Sequence, residues 1–329
     1  MFLYSYLQKN TLLVYRTLIL IIWGGLIVFT TGVQGIINNY ILSLSMMFGA
    51  FIGSATPVGG GVIAFPVLSF IKHAPSSEAA TFCLAMQAFG MTAASLTIYK
   101  NKIKVNSFLI IYSTVIATLG YLVGLAYIQN PFSSVSLKIF FSSFWLTFGI
   151  AIYLLRRKNK VMLTMRNKGE MASSKMLTLG IISFIGGVIT SWIGNGIDVM
   201  FFCALILIFS ESESIATASA VVVMSLISIL STIINFSTGN YSTHTLEYLS
   251  ATIPIVIFFA PLGIMYATKR GDLFIRKLLL LIVTIQYLVV ASTYFHIINN
   301  LIISVCVILI SALFLLLINK LFKGKINEQ

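Results

Sequence analysis

Apolar residues fill most of the chain in runs of about 20, and polar or charged residues separate these runs. Because a helix of about 20 residues crosses the ~30 Å hydrocarbon core of a bilayer, each such run predicts a transmembrane helix. Eight runs fit one helix each: 11–31, 78–99, 105–128, 135–155, 214–236, 246–268, 273–296 and 301–319. The pattern predicts an all-α, polytopic integral membrane protein.

Two further apolar stretches, 41–71 and 176–210, are too long for a single crossing helix. Glycine-rich segments interrupt both of them: PVGGG at 57–61, the first break, and IGNGID at 193–198, the second break. Proline removes a backbone donor and glycine tolerates non-helical angles, so helices end at such segments. Each stretch is therefore predicted to form two shorter helices around a break in the membrane.

The composition supports this assignment and excludes other classes of protein. Hydrophobic residues make up 58% of the chain and charged residues only 9%, which is too little polar surface for a soluble enzyme or a disordered chain. A net charge of +13 could indicate nucleic-acid binding, but most of the basic residues lie in the loops between apolar runs. We therefore expect the bilayer, and no nucleic acid, to be the partner of this charge.

The loop 156–175 carries seven lysines and arginines, which predicts that it is cytoplasmic. If each broken stretch is a hairpin that returns to the side it entered, all lysines and arginines except Lys72 and Lys138 lie on this same side. If both stretches crossed once, about half of them would lie on the other side. The hairpin model predicts a multi-pass protein of the cell (inner or plasma) membrane with cytoplasmic N- and C-termini. It leaves open whether the hairpins are re-entrant or cross fully.

The two halves of the chain resemble each other. Small residues lead into a glycine-rich break in 49–61 and again in 184–196, and each broken hairpin precedes three spans. The charge distribution makes the two copies inverted, an architecture typical of secondary transporters. The organisation is an N-terminal extra helix (1–40), the first repeat (41–155), the basic loop (156–175), the second repeat (176–297), and a last helix with its tail (298–329).

The breaks are the candidate substrate site. Backbone amides that begin the second helix of each hairpin lack intrahelical partners, and together with the helix dipole they can hold an anion without a buried lysine or arginine. A purely structural role of the glycines, in packing or kinking, is the alternative. The candidate substrate-binding residues are Thr56, Pro57, Gly59, Gly60, Gly61, Gln87, Ser191, Gly194, Asn195, Gly196 and Gln286.

Asp198 is the one acidic residue deep in an apolar stretch, two positions after Gly196. An ionised carboxylate at a helix centre costs on the order of 3 kcal/mol, so its position needs a reason. Three interpretations remain open: a cap on the short helix, a carrier of the coupling proton because burial favours the protonated carboxyl, and a ligand of a cation.

The segment GAFIGSATPVGGGVIAFPVL at 49–68 resembles the signature segment of the sulfite exporter TauE/SafE family, also called the TSUP transporters. The segment 184–202 is similar to the second copy of that signature. Three departures stand out: Pro57-Val58 where the first turn usually begins with glycine, Asn195 in place of a middle glycine, and Phe201-Phe202 in place of a proline. The resemblance implies transport of sulfite, sulfonates or other small organic anions.

These observations predict a secondary transporter of a small organosulfur anion, with coupling through Asp198 and no cofactor or metal. An anion channel with paired re-entrant hairpins and a carrier of small carboxylates are the alternatives. We expect no enzyme, since GxSxG, HExxH and Walker A patterns are absent. The sequence leaves the coupling ion, the direction of transport and a homodimer open.

Overall fold

The computed structural model describes residues 2–29, 32–128, 133–158 and 173–323. Within these ranges the regular structure is helical. The helices are α1 (Phe2–Phe29), α2 (Gly32–Asn38), α3 (Tyr40–Ala55), α4 (Gly61–Pro66), α5 (Ser76–Lys100), α6 (Ser107–Ala126), α7 (Ser134–Lys158), α8 (Ser173–Ile193), α9 (Ile197–Leu207), α10 (Glu213–Ser237), α11 (Thr243–Arg270), α12 (Asp272–Tyr294) and α13 (Ile298–Lys323). A π-helical turn, Val67–Ile71, continues α4 directly.

The predicted all-α, polytopic architecture is confirmed. Nine of the described helices are long and apolar enough to cross a membrane. These nine comprise the eight predicted single spans and α8, the first limb of the second hairpin. The short helix α2 was not predicted, and it meets α3 at a bend of 70°. Most of the basic loop 156–175 lies outside the described residues.

Both broken stretches turn back on themselves. A Cβ built on Gly49 in α3 would lie 3.4 Å from the Cβ of Ile63 in α4, on the far side of the first break. In the second hairpin a Cβ on Gly186 in α8 would lie 3.5 Å from that of Met200 in α9. Such contacts require antiparallel limbs, so the hairpins inferred from the charges are present.

The return limbs are too short to span a bilayer. Helix α9 has 11 residues, and α4 with its π-helical turn runs over 61–71, the same length. At 1.5 Å per residue such a limb extends about 16 Å, roughly half of the ~30 Å hydrocarbon core. Limb length therefore favours re-entrant hairpins.

The two halves exchange helices when they pack. The two closest-packed helix pairs join α6 of the first half to α8 of the second, and α11 of the second half to α3 of the first. Accordingly, one apolar core surrounds α8 and α9 and includes α6 and α7, while the other surrounds α3 and α4 and includes α11. This reciprocal packing is what two related copies produce.

Backbone hydrogen bonds repeat with a constant offset of 137 positions. The amide of Ala74 bonds the Leu68 carbonyl at 3.0 Å after the first hairpin, and Glu211 bonds Leu205 at 3.0 Å after the second. His73 and Ser210, also 137 positions apart, both have left-handed backbone angles with φ of 52° and 54°. The internal repeat therefore extends to single hydrogen bonds.

Close helix approach depends on glycines at the exchanged contacts. A Cβ on Gly187 in α8 would lie 2.9 Å from the backbone nitrogen of Tyr121 in α6. The Gly120xxxGly124 pair faces the same helix, since a Cβ on Gly124 would lie 3.1 Å from the Cα of Val188. Glycine lets the two backbones touch, as small residues commonly do in membrane helix pairs.

Candidate functional site

The two breaks meet each other inside the protein. The side-chain amide of Asn195 in the second break donates to the carbonyl oxygen of Val58 in the first break at 2.6 Å. A Cβ on Gly59 would lie 2.6 Å from Oδ2 of Asp198 and 2.8 Å from both Nδ2 and Oδ1 of Asn195. The two breaks, which the sequence names as the candidate substrate site, therefore lie against each other.

Glycine is required at both breaks for two different reasons. Gly59 and Gly194 adopt left-handed backbone angles, with φ of 69° and 74°, which side chains rarely allow. Gly194 also packs its Cα against the carbonyl group of Ala80 in α5, where a Cβ would overlap the oxygen. The breaks are thus fixed turns in contact with the neighbouring helix α5.

Asp198 caps the helix in whose first turn it lies. Its Oδ1 accepts hydrogen bonds from the amides of Gly196, at 3.2 Å, and Val199, at 2.9 Å. A carboxylate at this position also complements the positive end of the helix dipole. The capping interpretation of Asp198 therefore has its hydrogen bonds in the structure.

Thr190 is a residue of this site that sequence reasoning missed. Its Oγ1 accepts from the amide of Ile197 at 3.0 Å and donates to the Gly186 carbonyl at 2.7 Å. Thr190 lies one helical turn after Gly186 and one turn before the break at Gly194, and this spacing is the signal that could have identified it. Thr190 and Asp198 together occupy three amides at the start of α9.

The first break differs, because the backbone amides of its three glycines are not hydrogen-bonded. In the described part of the chain, the backbone amides of Gly59, Gly60 and Gly61 donate no hydrogen bond. The first amides that bond within the segment belong to Ile63 and Ala64, which both donate to the Gly60 carbonyl. Donors for an anion are therefore present at the first break, while the corresponding amides at the second break are already bonded.

Three buried side-chain oxygens at the junction lack a partner among the described residues: Oε1 of Gln87, Oδ1 of Asn195 and Oδ2 of Asp198. These side chains are only 0%, 2% and 3% exposed. The amide nitrogens fix the orientations, because Gln87 Nε2 donates to the Gly194 carbonyl at 3.0 Å and Asn195 Nδ2 to Val58. An unsatisfied buried polar atom costs about 1–3 kcal/mol, so a donor that reached these three oxygens would be stabilised there.

Three predicted site residues do not turn towards the junction. Thr56 donates to the Ile52 carbonyl of its own helix, and Ser191 donates to Val188 while facing Gly124 of α6. Gln286 lies on α12, which packs chiefly against α7. The structure therefore gathers Gly59, Gly60, Gly61, Gln87, Gly194, Asn195, Gly196 and Asp198, with Pro57 buried in the first turn.

Among the described residues, no group of three or more His, Cys, Asp or Glu side chains is placed to hold a metal ion. The junction instead combines backbone amides, side-chain amides and one carboxyl group. Such a site suits a small polar solute or a proton better than a transition metal, which prefers imidazole and thiolate ligands.

Comparison with known proteins gives one family. Searches of curated proteins and of solved structures return no match. The family model described as "Sulfite exporter TauE/SafE" matches residues 41–290, a range that holds both hairpins and the three helices after each. With its two glycine breaks in contact at the centre of two exchanged repeats, the chain belongs to the sulfite exporter TauE/SafE family of membrane transporters.

Proposed function

We propose that this protein is a secondary transporter of a small organosulfur anion, such as sulfite or a sulfonate, bound between the two glycine breaks. The observation that carries the proposal is the contact of the breaks, through the Asn195–Val58 hydrogen bond of 2.6 Å. Family membership supports the anion class, and the internal repeat supports an alternating-access mechanism.

The anionic group is held by the backbone amides of Gly59, Gly60 and Gly61, which are not hydrogen-bonded within the described part of the protein. Glycine has no side chain to shield these amides, so an oxyanion can approach them closely. No lysine or arginine is needed, which suits a site placed deep in an apolar environment.

The junction is closed in this conformation. Asn195 and Gln87 are almost fully buried, and a methyl group on Gly59 would already overlap its neighbours. Substrate entry therefore requires the hairpins to separate, which breaks the Asn195–Val58 hydrogen bond. The two hairpins lie in different apolar cores, so movement of one core against the other opens the site to one side at a time.

Asp198 carries the coupling proton. Its Oδ2 is buried without a partner, whereas Oδ1 holds the start of α9. A proton on Oδ2 removes the buried charge and leaves the cap in place, so the carboxyl group can change protonation without unfolding the hairpin.

Flux measurements in reconstituted vesicles test the proposed function. We expect saturable uptake of labelled sulfite or a short sulfonate, with counter-flow when unlabelled substrate is present on the other side. Unitary conductance in planar bilayers would instead favour an anion channel. Transport of short carboxylates without any sulfur compound would favour the second alternative.

The variant Asp198→Asn tests the coupling step. Asparagine keeps an oxygen for the cap but cannot titrate, so we expect uptake driven by a pH gradient to fall to background while exchange of substrate persists. Glu247→Gln is the matched control, because this carboxylate lies beside His244 near the start of α11, away from the junction. Unchanged pH-driven uptake in Asp198→Asn would remove Asp198 as the proton carrier.

A further inference from the structure

The polar groups of the junction are unequal on its two sides. The first break offers backbone amides that are not hydrogen-bonded and can act as donors. The second break and α5 offer the three unpartnered oxygens of Gln87, Asn195 and Asp198, which are acceptors. A ligand that satisfies both sides must accept hydrogen bonds at one end and donate them at the other.

The second break cannot bind a second anionic group, because its amides are already hydrogen-bonded. Asp198 Oδ1 and Thr190 Oγ1 already accept from the amides of Gly196, Ile197 and Val199. The carboxylate of Asp198 thus takes the place at the α9 start that a substrate anion would otherwise take, and it would repel a second negative charge.

Two of the unpartnered oxygens lie close to one another, and the third belongs to a side chain that is bonded to the second break. Oδ2 of Asp198 and Oδ1 of Asn195 are both less than 3 Å from the Cβ position of Gly59. Gln87 reaches the same break through its bond to Gly194. One carboxylate oxygen flanked by amide oxygens is an arrangement that receives a protonated amine.

We propose that the preferred substrate is a small zwitterion, an anion that also carries an amino group, and that Asp198, Asn195 and Gln87 receive this amino group. The inference rests on the proposed function for the anionic end and adds the chemistry of the other end. An amino-sulfonate with its two groups separated by two carbons is the simplest member of the class.

Substrate and proton compete for Asp198 under this proposal. In the empty carrier a proton on Oδ2 satisfies the carboxyl group, and on binding the proton leaves to the aqueous side while the ammonium group takes its place. Among the described residues no lysine or arginine pairs with Asp198, whose Oδ1 accepts from the amides of Gly196 and Val199, so no basic side chain substitutes for the ammonium group. Such competition produces proton–substrate exchange.

A series of four sulfonates tests the inference on the purified full-length protein by titration calorimetry. Taurine carries an amino group, isethionate a hydroxyl group, ethanesulfonate neither, and sulfoacetate a second anionic group. We expect taurine to bind at least about tenfold more tightly than ethanesulfonate, with isethionate between them and sulfoacetate weakest, because a site built of acceptors rejects ligands that lack a donor.

Two variants sharpen the test. Asp198→Asn should lower the ratio of taurine affinity to ethanesulfonate affinity at least about tenfold, because only taurine carries the amino group that Asp198 receives, and Glu247→Gln should leave this ratio unchanged. Equal binding of taurine and ethanesulfonate by the unmodified protein would overturn the inference and leave the proposed function intact. If neither sulfite nor any of the four sulfonates binds, the proposed function fails as well. The ligand series needs no variant, so it decides the matter even where Asp198→Asn does not fold.

Discussion

At the scale of single residues, the sequence predicted most of the polar side chains that meet at the junction, but not all of them. Gln87 and Asp198 were chosen because polar groups are rare in the apolar runs, and Asn195 because it lies in the second break; all three lie at the junction. Ser191 was chosen and Thr190 was missed, although they are neighbours. Adjacent positions on a helix point about 100° apart, and only packing against α6 and α9 decides which of the two hydroxyl groups faces the break.

Gly59 provides a test of the contact between the breaks. Gly59→Ala places a methyl group 2.6 Å from Oδ2 of Asp198, so we expect the hairpins to separate and transport to fall at least about tenfold. The matched control is Gly239→Ala. Gly239 has the same left-handed backbone, with φ of 70° against 69°, but no atom within 4 Å of its Cβ position.

In both variants the left-handed backbone angle destabilises alanine relative to glycine by about 1–2 kcal/mol. The difference between them in initial uptake rate and in thermal unfolding therefore measures the contact alone. Equal losses in the two variants would show that Gly59 matters only for its backbone angles.

At the scale of helices and hairpins, the broken segments were predicted from composition, since proline and clustered glycines end a helix wherever they occur. The short helix α2 was not predicted because it has no apolar run of its own. The hydrogen bond from the amide of Ile197 to Thr190 Oγ1 escaped prediction, because it links residues seven positions apart across a turn. Only the folded geometry of that turn brings these atoms together.

The Thr190 hydroxyl group is expected to stabilise the second hairpin. Thr190→Val keeps the shape of the side chain but leaves the amide of Ile197 without its acceptor, so the free energy of unfolding should fall by about 1–2 kcal/mol. Ser191→Ala is the control, since the Ser191 hydroxyl only bonds a carbonyl of its own helix. Thermal unfolding in detergent followed by circular dichroism gives the comparison. A larger loss in Ser191→Ala than in Thr190→Val would contradict the assigned roles.

The contact between α6 and α8 depends on Gly187. In Gly187→Ala the new methyl group meets the backbone of α6 at Ala117 and Tyr121, where neither helix can yield locally, so the protein should lose about 1–3 kcal/mol of stability. Gly25→Ala in α1 is the control, because nothing lies within 4 Å of its Cβ position. Alanine favours a helix over glycine, so that control should be neutral or slightly stabilising. Equal unfolding temperatures for the two variants would show that the α6–α8 contact can relax.

At the scale of the whole molecule, the number of spans and the presence of two hairpins could be predicted from the length of the apolar runs and the distribution of charge. Both are properties of the linear sequence. The exchange of helices between the halves could not be predicted, because it depends on which small residues of distant helices face each other in the folded protein.

The outer faces of α1, α12 and α13 carry exposed apolar side chains such as Ile21, Leu281 and Leu309, as a lipid-facing surface should. A buried ion pair, Arg276 with Glu213 at 2.5 Å, joins the starts of α12 and α10.

The repeat itself offers the sharpest test of orientation. His73 and Ser210 follow the two hairpins at equivalent positions, with φ of 52° and 54°, and both are exposed. If the repeats are inverted, these two residues lie on opposite sides of the membrane although their local structures match. The charge distribution places Ser210 on the cytoplasmic side, together with the basic loop, and His73 outside.

Cysteine labelling shows directly on which side of the membrane each of these two residues lies. In a Cys306→Ser background, where Cys83 and Cys203 are buried, a membrane-impermeant maleimide should label His73→Cys in intact cells. Ser210→Cys should be labelled only in inside-out vesicles or after permeabilisation. Because the two sites share exposure and backbone angle, a difference in labelling reports the side of the membrane and not local reactivity. Labelling of both from the same side would mean that one hairpin crosses the bilayer once, and the inverted arrangement of the two breaks would then be wrong.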